Sequence, residues 1–177
     1  MTEQNKRALL KLARDTIASH FDHSKVILPD AEDLQAKCGV FVSLHKDGDL
    51  RGCIGFLRGY KSVVASVVEM ANSAAFQDTR FSPVRESELQ SIKIEISILS
   101  EMLPVLDTSQ IKVGQDGLYI QHPHGSGLLL PQVPVEWNWD LPTFLKQICR
   151  KAGLHYEAWK DKGAQLFSFT ADVFSEE

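Results

Sequence analysis

Six consecutive residues, Leu50-Arg51-Gly52-Cys53-Ile54-Gly55, set a thiol close to a guanidinium with glycine on either side. In an extended strand, side chains alternate between faces, so Arg51 and Cys53 share one face, about 6.5–7 Å apart, and Leu50, Gly52 and Ile54 share the other. A cation at that range favours the thiolate, the reactive form of cysteine. Glycines on both sides of the thiol strip the strand of side chains and let a second backbone or a ligand approach. The same six residues also suit a purely structural role, because free cysteine is among the most buried residue types and glycines in strands often mark bulges.

A second group lies in Phe76-Gln77-Asp78-Thr79-Arg80-Phe81-Ser82-Pro83, where a carboxylate, a guanidinium and two aromatic rings follow an apolar helix. Asp78, Arg80 and Phe81 are candidates for orienting a reactant, together with Gly52 and Gly55, and should lie beside Arg51 and Cys53. The alternative is a structural Asp78–Arg80 ion pair followed by a helix start at Ser82-Pro83. Cys53 would be the nucleophile or covalent acceptor, with Arg51 lowering its pKa or binding an anionic group. No cysteine–histidine pair stands out; His45 is nearest, and strand parity puts it on the face opposite Cys53. His122-Pro123-His124 sits at a glycine-rich turn with no acid or thiol close in sequence. A metal site needs three or four ligands, so these read as exposed turn histidines and no metal is expected. No HExxH, P-loop or GxSxG motif occurs, and no cofactor is implied.

The elements that must position these groups follow from periodicity. Residues 2 to about 20 form an amphipathic helix with Thr2 as cap, and residues 31–37 a short one. Val40–Leu44 and Leu50–Phe56 form a hairpin about Asp47-Gly48, a strong two-residue turn signal. Ser62–Phe76 is a buried helix and Ile92–Leu99 an alternating strand. Gly117–His122 and Leu128–Leu130 form a second hairpin about residues 123–127. Asp140 caps a helix carrying Phe144, Leu145 and Ile148 inward and ending at Gly153. Trp137 and Trp139, just before it, read as packing residues. Gln165–Val173 is a last strand. Strands and helices mix without strict alternation, which predicts an α+β fold with a mixed or antiparallel sheet packed by helices.

Composition bounds the rest. The 177 residues suit one domain, 1–177, which can have two lobes. A net charge of −4 argues against broad nucleic-acid binding. Cys38, Cys53 and Cys149 are an odd, widely spaced set, read as thiols in a reducing, cytoplasmic setting. No stretch approaches the ~18 apolar residues of a membrane span.

The hexapeptide resembles the hallmark of the AMMECR-one domain family. Ala74–Pro83 resembles that family's second motif, Glu95-Ile96-Ser97-Ile98-Leu99-Ser100 its third, and Gly127–Val133 the form found in microbial members. Phe144-Leu145, Lys151-Ala152-Gly153-Leu154, Trp159 and Val173-Phe174 complete the pattern in order, across nearly the whole chain. The chain is most similar to the prokaryotic branch, the AmmeMemoRadiSam system A proteins. That resemblance implies an α+β domain with a larger and a smaller lobe, the hexapeptide between them. Its implied companions are a Memo-type protein and a radical-SAM protein, and it supplies no activity; modification of RNA or of a small molecule through Cys53 is the reaction class expected if the chain is an enzyme. Two functions follow as expectations: an enzyme using Cys53, or a non-catalytic accessory subunit that holds those partners or a small anionic ligand.

Overall fold

A computed structural model describes residues 1–177. The chain divides into two compact units, a larger one of Met1–Leu99 with Asp172–Glu177, and a smaller one of Ser100–Ala171. No helix is long and apolar enough to cross a membrane.

The larger unit holds helices α1 (Glu3–Asp22) and α2 (Val63–Phe76) and strands β1 (Gly39–Lys46), β2 (Asp49–Phe56), β3 (Ile92–Leu99) and β8 (Ala171–Ser175). The sheet order is β2-β1-β3-β8, which leaves β2 on an edge. Thr2 caps α1 by accepting from the Asn5 N–H, and Ser62 caps α2 by accepting from Ala65 N–H. Such caps satisfy N–H groups that a helix start leaves free. Residues 32–35 form a single 3-10 turn in place of the expected short helix.

One face of the sheet is apolar. Val40, Val42, Leu44, Ile94 and Ile96 are fully buried there, against Leu9, Ala13 and Val67 of the two helices. Each such Val, Leu or Ile contributes about 1.5–3 kcal/mol on burial. Gly52 belongs to this face. A Cβ there would overlap the Ala74 carbonyl oxygen of α2, so glycine is what lets the helix lie on the strand.

The hairpin turns as its sequence predicts. Asp47 and Gly48 both have positive φ, 54° and 89°, the conformation that a two-residue type I′ turn needs. Lys46 faces Asp49 and His45 faces Leu50, but the next pair is Leu44 with Gly52. Arg51 is the extra residue of a β-bulge in β2, while β1 runs in unbroken register against β3. A one-residue shift exchanges the faces of everything beyond it. Cys53 therefore faces Ser43. His45, two residues along β1, shares that face, contrary to the parity expected from the sequence.

The smaller unit is built on a sheet of order β4-β7-β5-β6, from β4 (Leu103–Pro104), β5 (Gly117–His122), β6 (Gly125–Leu129) and β7 (Gln165–Phe169). Helix α3 (Gln132–Glu136) precedes α4 (Leu141–Lys151), whose Asp140 cap accepts from Thr143 N–H. Phe144, Ile148, Leu118 and Ile120 are fully buried in its core. Trp139 packs against that core, whereas Trp137 is largely exposed.

Several sequence expectations change here. Gly125 and Gly127 lie inside β6 rather than in a long turn, because α4 ends against them: a Cβ on Gly127 would come within 2.8 Å of Ala152 N, and one on Gly125 would overlap Ala152 O. The last strand is two, β7 and β8, in different sheets. His122 is no exposed turn residue. Its imidazole is largely buried, accepts from His124 N–H at 3.1 Å through Nδ1, and sets Nε2 3.4 Å from Asp161.

Candidate functional site

Edge strands expose unpaired main-chain groups that must be covered or blunted. The segment after α2 covers β2. Asp78, buried at 6 % exposure, accepts the Cys53 N–H through Oδ2 at 2.9 Å. Arg80 donates through Nη2 to the Cys53 carbonyl at 3.1 Å. The two side chains are joined by bonds of 2.9 and 2.7 Å from Nε and Nη2. Together they take the place of a neighbouring strand at one residue, Cys53. The two candidate groups of the sequence thus come together at Cys53, with the expected Asp78–Arg80 ion pair between them. The hydrogen bond from Arg80, with the N–H groups of Cys53 and Arg80, holds the Asp78 carboxyl far below the usual carboxylate range.

Both main-chain groups of Cys53 point away from β1, so Cys53 and Ser43 form a non-hydrogen-bonded antiparallel pair, the kind whose side chains lie closest. The Ser43 hydroxyl donates to Cys53 Sγ at 3.1 Å. Cys53 is half-buried, as is Cys38, while Cys149 is buried, and burial pushes the Cys149 thiol up.

Arg51 sits on the bulge and its guanidinium is turned to other partners. It forks onto Glu88 through Nε and Nη2, at 3.1 and 3.0 Å, and donates through Nη1 to the Ser82 carbonyl at 2.8 Å. Lys46 also reaches Glu88, at 3.1 Å. The Arg51 fork, the Arg85 N–H and Lys46 lower the Glu88 carboxyl to about 2. The guanidinium bonded to Cys53 is instead that of Arg80. Its pKa is raised chiefly by the hydrogen bond to Asp78, with a smaller Coulombic contribution from Cys53. The Arg80 side chain is 56 % exposed, and its guanidinium lies 5.4 Å from the Phe81 ring centroid. Gly55 makes room for the Phe41 ring, which a Cβ would overlap.

Sequence reasoning named Arg51, Gly52, Cys53, Gly55, Asp78, Arg80 and Phe81, and missed Ser43 and Glu88. Glu88 carries no motif signal. Ser43 could have been found from the rows of the sheet: Val42 and Leu44 must share a face with Gly52 and Ile54, which leaves Ser43 opposite Cys53.

A family model described as AMMECR1 matches residues 10–174. The chain belongs to the AMMECR1 family. A Thermococcus onnurineus protein is 43% identical, with 96% of this chain and 89% of the relative covered. Protein TK0174 of Thermococcus kodakarensis is 42% identical over the same shares. The crystal structure of uncharacterized protein PH0010 from Pyrococcus horikoshii is similar at a TM-score of 0.86 and 38% identity, covering 96% of this chain and 90% of that one. The edge-capped Cys53 is therefore set in an AMMECR1 fold.

Proposed function

We propose that this AMMECR1 protein is an enzyme that acts through the Cys53 thiol on a small reactant carrying an anionic group. The observation that carries this reading is the serine hydroxyl 3.1 Å from the sulfur, on a residue whose main chain is clamped from the other side by Asp78 and Arg80. The sulfur thus has a hydroxyl donor on one side, and the Arg80 guanidinium is bonded to the carbonyl of the same residue. The exposed part of Arg80 offers donors to an anionic group, and Phe81 a flat apolar surface beside it. Gly52 and Gly55 give the backbone and ring approaches that hold the strand in place.

Thiol-resolved alkylation tests the reading. At neutral pH Cys53 labels faster than Cys38 and Cys149, and iodoacetate is favoured over iodoacetamide relative to Cys38. Arg80→Ala removes that preference. Cys53 labelling more slowly than Cys38, or a preference indifferent to Arg80, refutes it.

A second reading has one observation in its favour. Arg51, Asp78 and Arg80 are all bound to main chain of their own unit, which makes a rigid surface suited to docking. The protein would then serve as an accessory subunit for a Memo-type or radical-SAM partner. Retention of those partners by the Cys53→Ser variant, with cellular function intact, would favour it.

A further inference from the structure

In the smaller unit, the start of α4, the turn at 108–109 and the segment 156–160 line a cavity of about 330 Å³, within the size range of small-molecule sites. On α4, Leu141 and Leu145 recur at four-residue spacing, as do Pro142 and Lys146, so the four share one side of the helix. The three apolar ones, with Tyr156 and Trp159, give the cavity apolar and aromatic walls. Trp159 is fixed against the core of the unit, whereas Tyr156 is largely exposed. Charge at the cavity is unequal. Its lining carries two ammonium groups, Lys146 and Lys160, and one carboxylate, Glu157. Glu157 is held by Lys160, whose Nζ lies 5.1 Å from the Trp159 ring centroid. Lys146 stands outside the ion pairs of the unit. The carboxylates that feel its charge are Asp140, lowered chiefly by its bond to Thr143, and Glu157, lowered chiefly by Lys160. Both are already engaged, Asp140 by accepting from the Thr143 N–H at 2.9 Å.

We propose that this cavity is a binding site for a small aromatic monocarboxylate, with Lys146 as the counter-ion of its acid group. The ring of the ligand takes the apolar walls, where Tyr156 and Trp159 supply large flat surfaces at low entropic cost. The excess of one positive charge fits a ligand of one negative charge. A neutral ring would leave Lys146 unpaired, and a cationic one would meet two ammonium groups. The site lies wholly within the smaller unit and does not rest on the Cys53 reading.

The test titrates the full chain with 2-naphthoate and with its neutral analogue 2-naphthamide, followed by amide and indole N–H resonances. Naphthoate shifts the Trp159 indole N–H and the Lys146 amide saturably, with a half-saturation of about 1 mM, as expected for a ligand of that size. Naphthamide binds about threefold or more weakly, the discrimination one exposed ion pair supplies. Lys146→Gln brings the two affinities together by weakening naphthoate alone. Shifts that do not saturate by about 10 mM, shifts centred outside the cavity, equal affinity for the two compounds, or a preference that survives Lys146→Gln each overturn the inference. Tyr156→Ala weakens both compounds alike, and its indifference overturns the aromatic wall. Lys146 and Tyr156 are exposed, so both variants keep the fold. Labelling of Cys53 is unmoved by either variant, so failure here and failure of the thiol reading are distinct.

Discussion

Replacing Asp78 by alanine removes the cap of the β2 edge, and its effect can be worked from the bonds it breaks. Asp78 accepts from the main-chain N–H of Cys53 at 2.9 Å and of Arg80 at 3.1 Å. Hydrogen bonds to a charged group are worth about 1.5–3 kcal/mol each. Its ion pair with Arg80 adds little, because the guanidinium is more than half exposed and turns to water when released. The net cost is therefore about 3 kcal/mol for Asp78→Ala. Asp78→Asn keeps one acceptor oxygen and costs about half as much. All three tryptophans lie in the smaller unit, at 137, 139 and 159, so tryptophan fluorescence does not follow this change. Amide hydrogen exchange does. In Asp78→Ala the Cys53 amide becomes freely exchanging, and amides of Val42 and Ile96, fully buried in the two central strands, exchange about 100-fold faster, since each 1.4 kcal/mol is tenfold. If the Cys53 amide keeps its protection, or the core amides speed up less than about fivefold, the carboxylate is not what holds the edge.

Glu88→Gln weakens the fork to Arg51 and costs about 1–2 kcal/mol once solvent screening is allowed for. Because the folded carboxyl binds its proton less tightly than the unfolded one, the contribution of Glu88 is complete above pH about 4.5 and fades as pH falls towards 2. Urea midpoints across that window should therefore flatten in the variant. Gly52→Ala drives a methyl into the Ala74 carbonyl and should cost about 3 kcal/mol, read as loss of soluble protein or a lowered Tm; an unchanged Tm would refute the close packing of α2 on β2. Cys149, fully buried, should resist alkylation until the smaller unit unfolds, so its labelling and the tryptophan signal share one urea midpoint.

Much of the framework was legible because local and global signals agree there. Thr2 and Ser62 cap helices where apolar periodicity begins, Asp47-Gly48 turns the hairpin, and the four isoleucines of Ile92–Leu99 mark a core face. The split of the last strand was not legible, since nothing in the run from Gln165 to Val173 shows a change of sheet at Thr170. At the site, the hexapeptide and the Asp78 loop were found by residue type, but the direction of Arg51 depends on Glu88, brought close only by the fold. The bulge could have been inferred. The turn demands that Val42 face Cys53, while burial demands that Val42 face Ile54, and one inserted residue in β2 is the resolution of that conflict.

That resolution has a consequence for any attempt to move the site. The bulge is a phase boundary. On its turn side residues are indexed from Asp47-Gly48, and beyond it they are indexed from the apolar rows under α2. The chemistry of Cys53 belongs to the second index. Grafting the hexapeptide with its turn onto another hairpin would carry every letter across, yet if Arg51 paired in regular register instead of bulging, the thiol would face the position of Val42 instead of that of Ser43, and the position of His45 would be on the far side of the sheet.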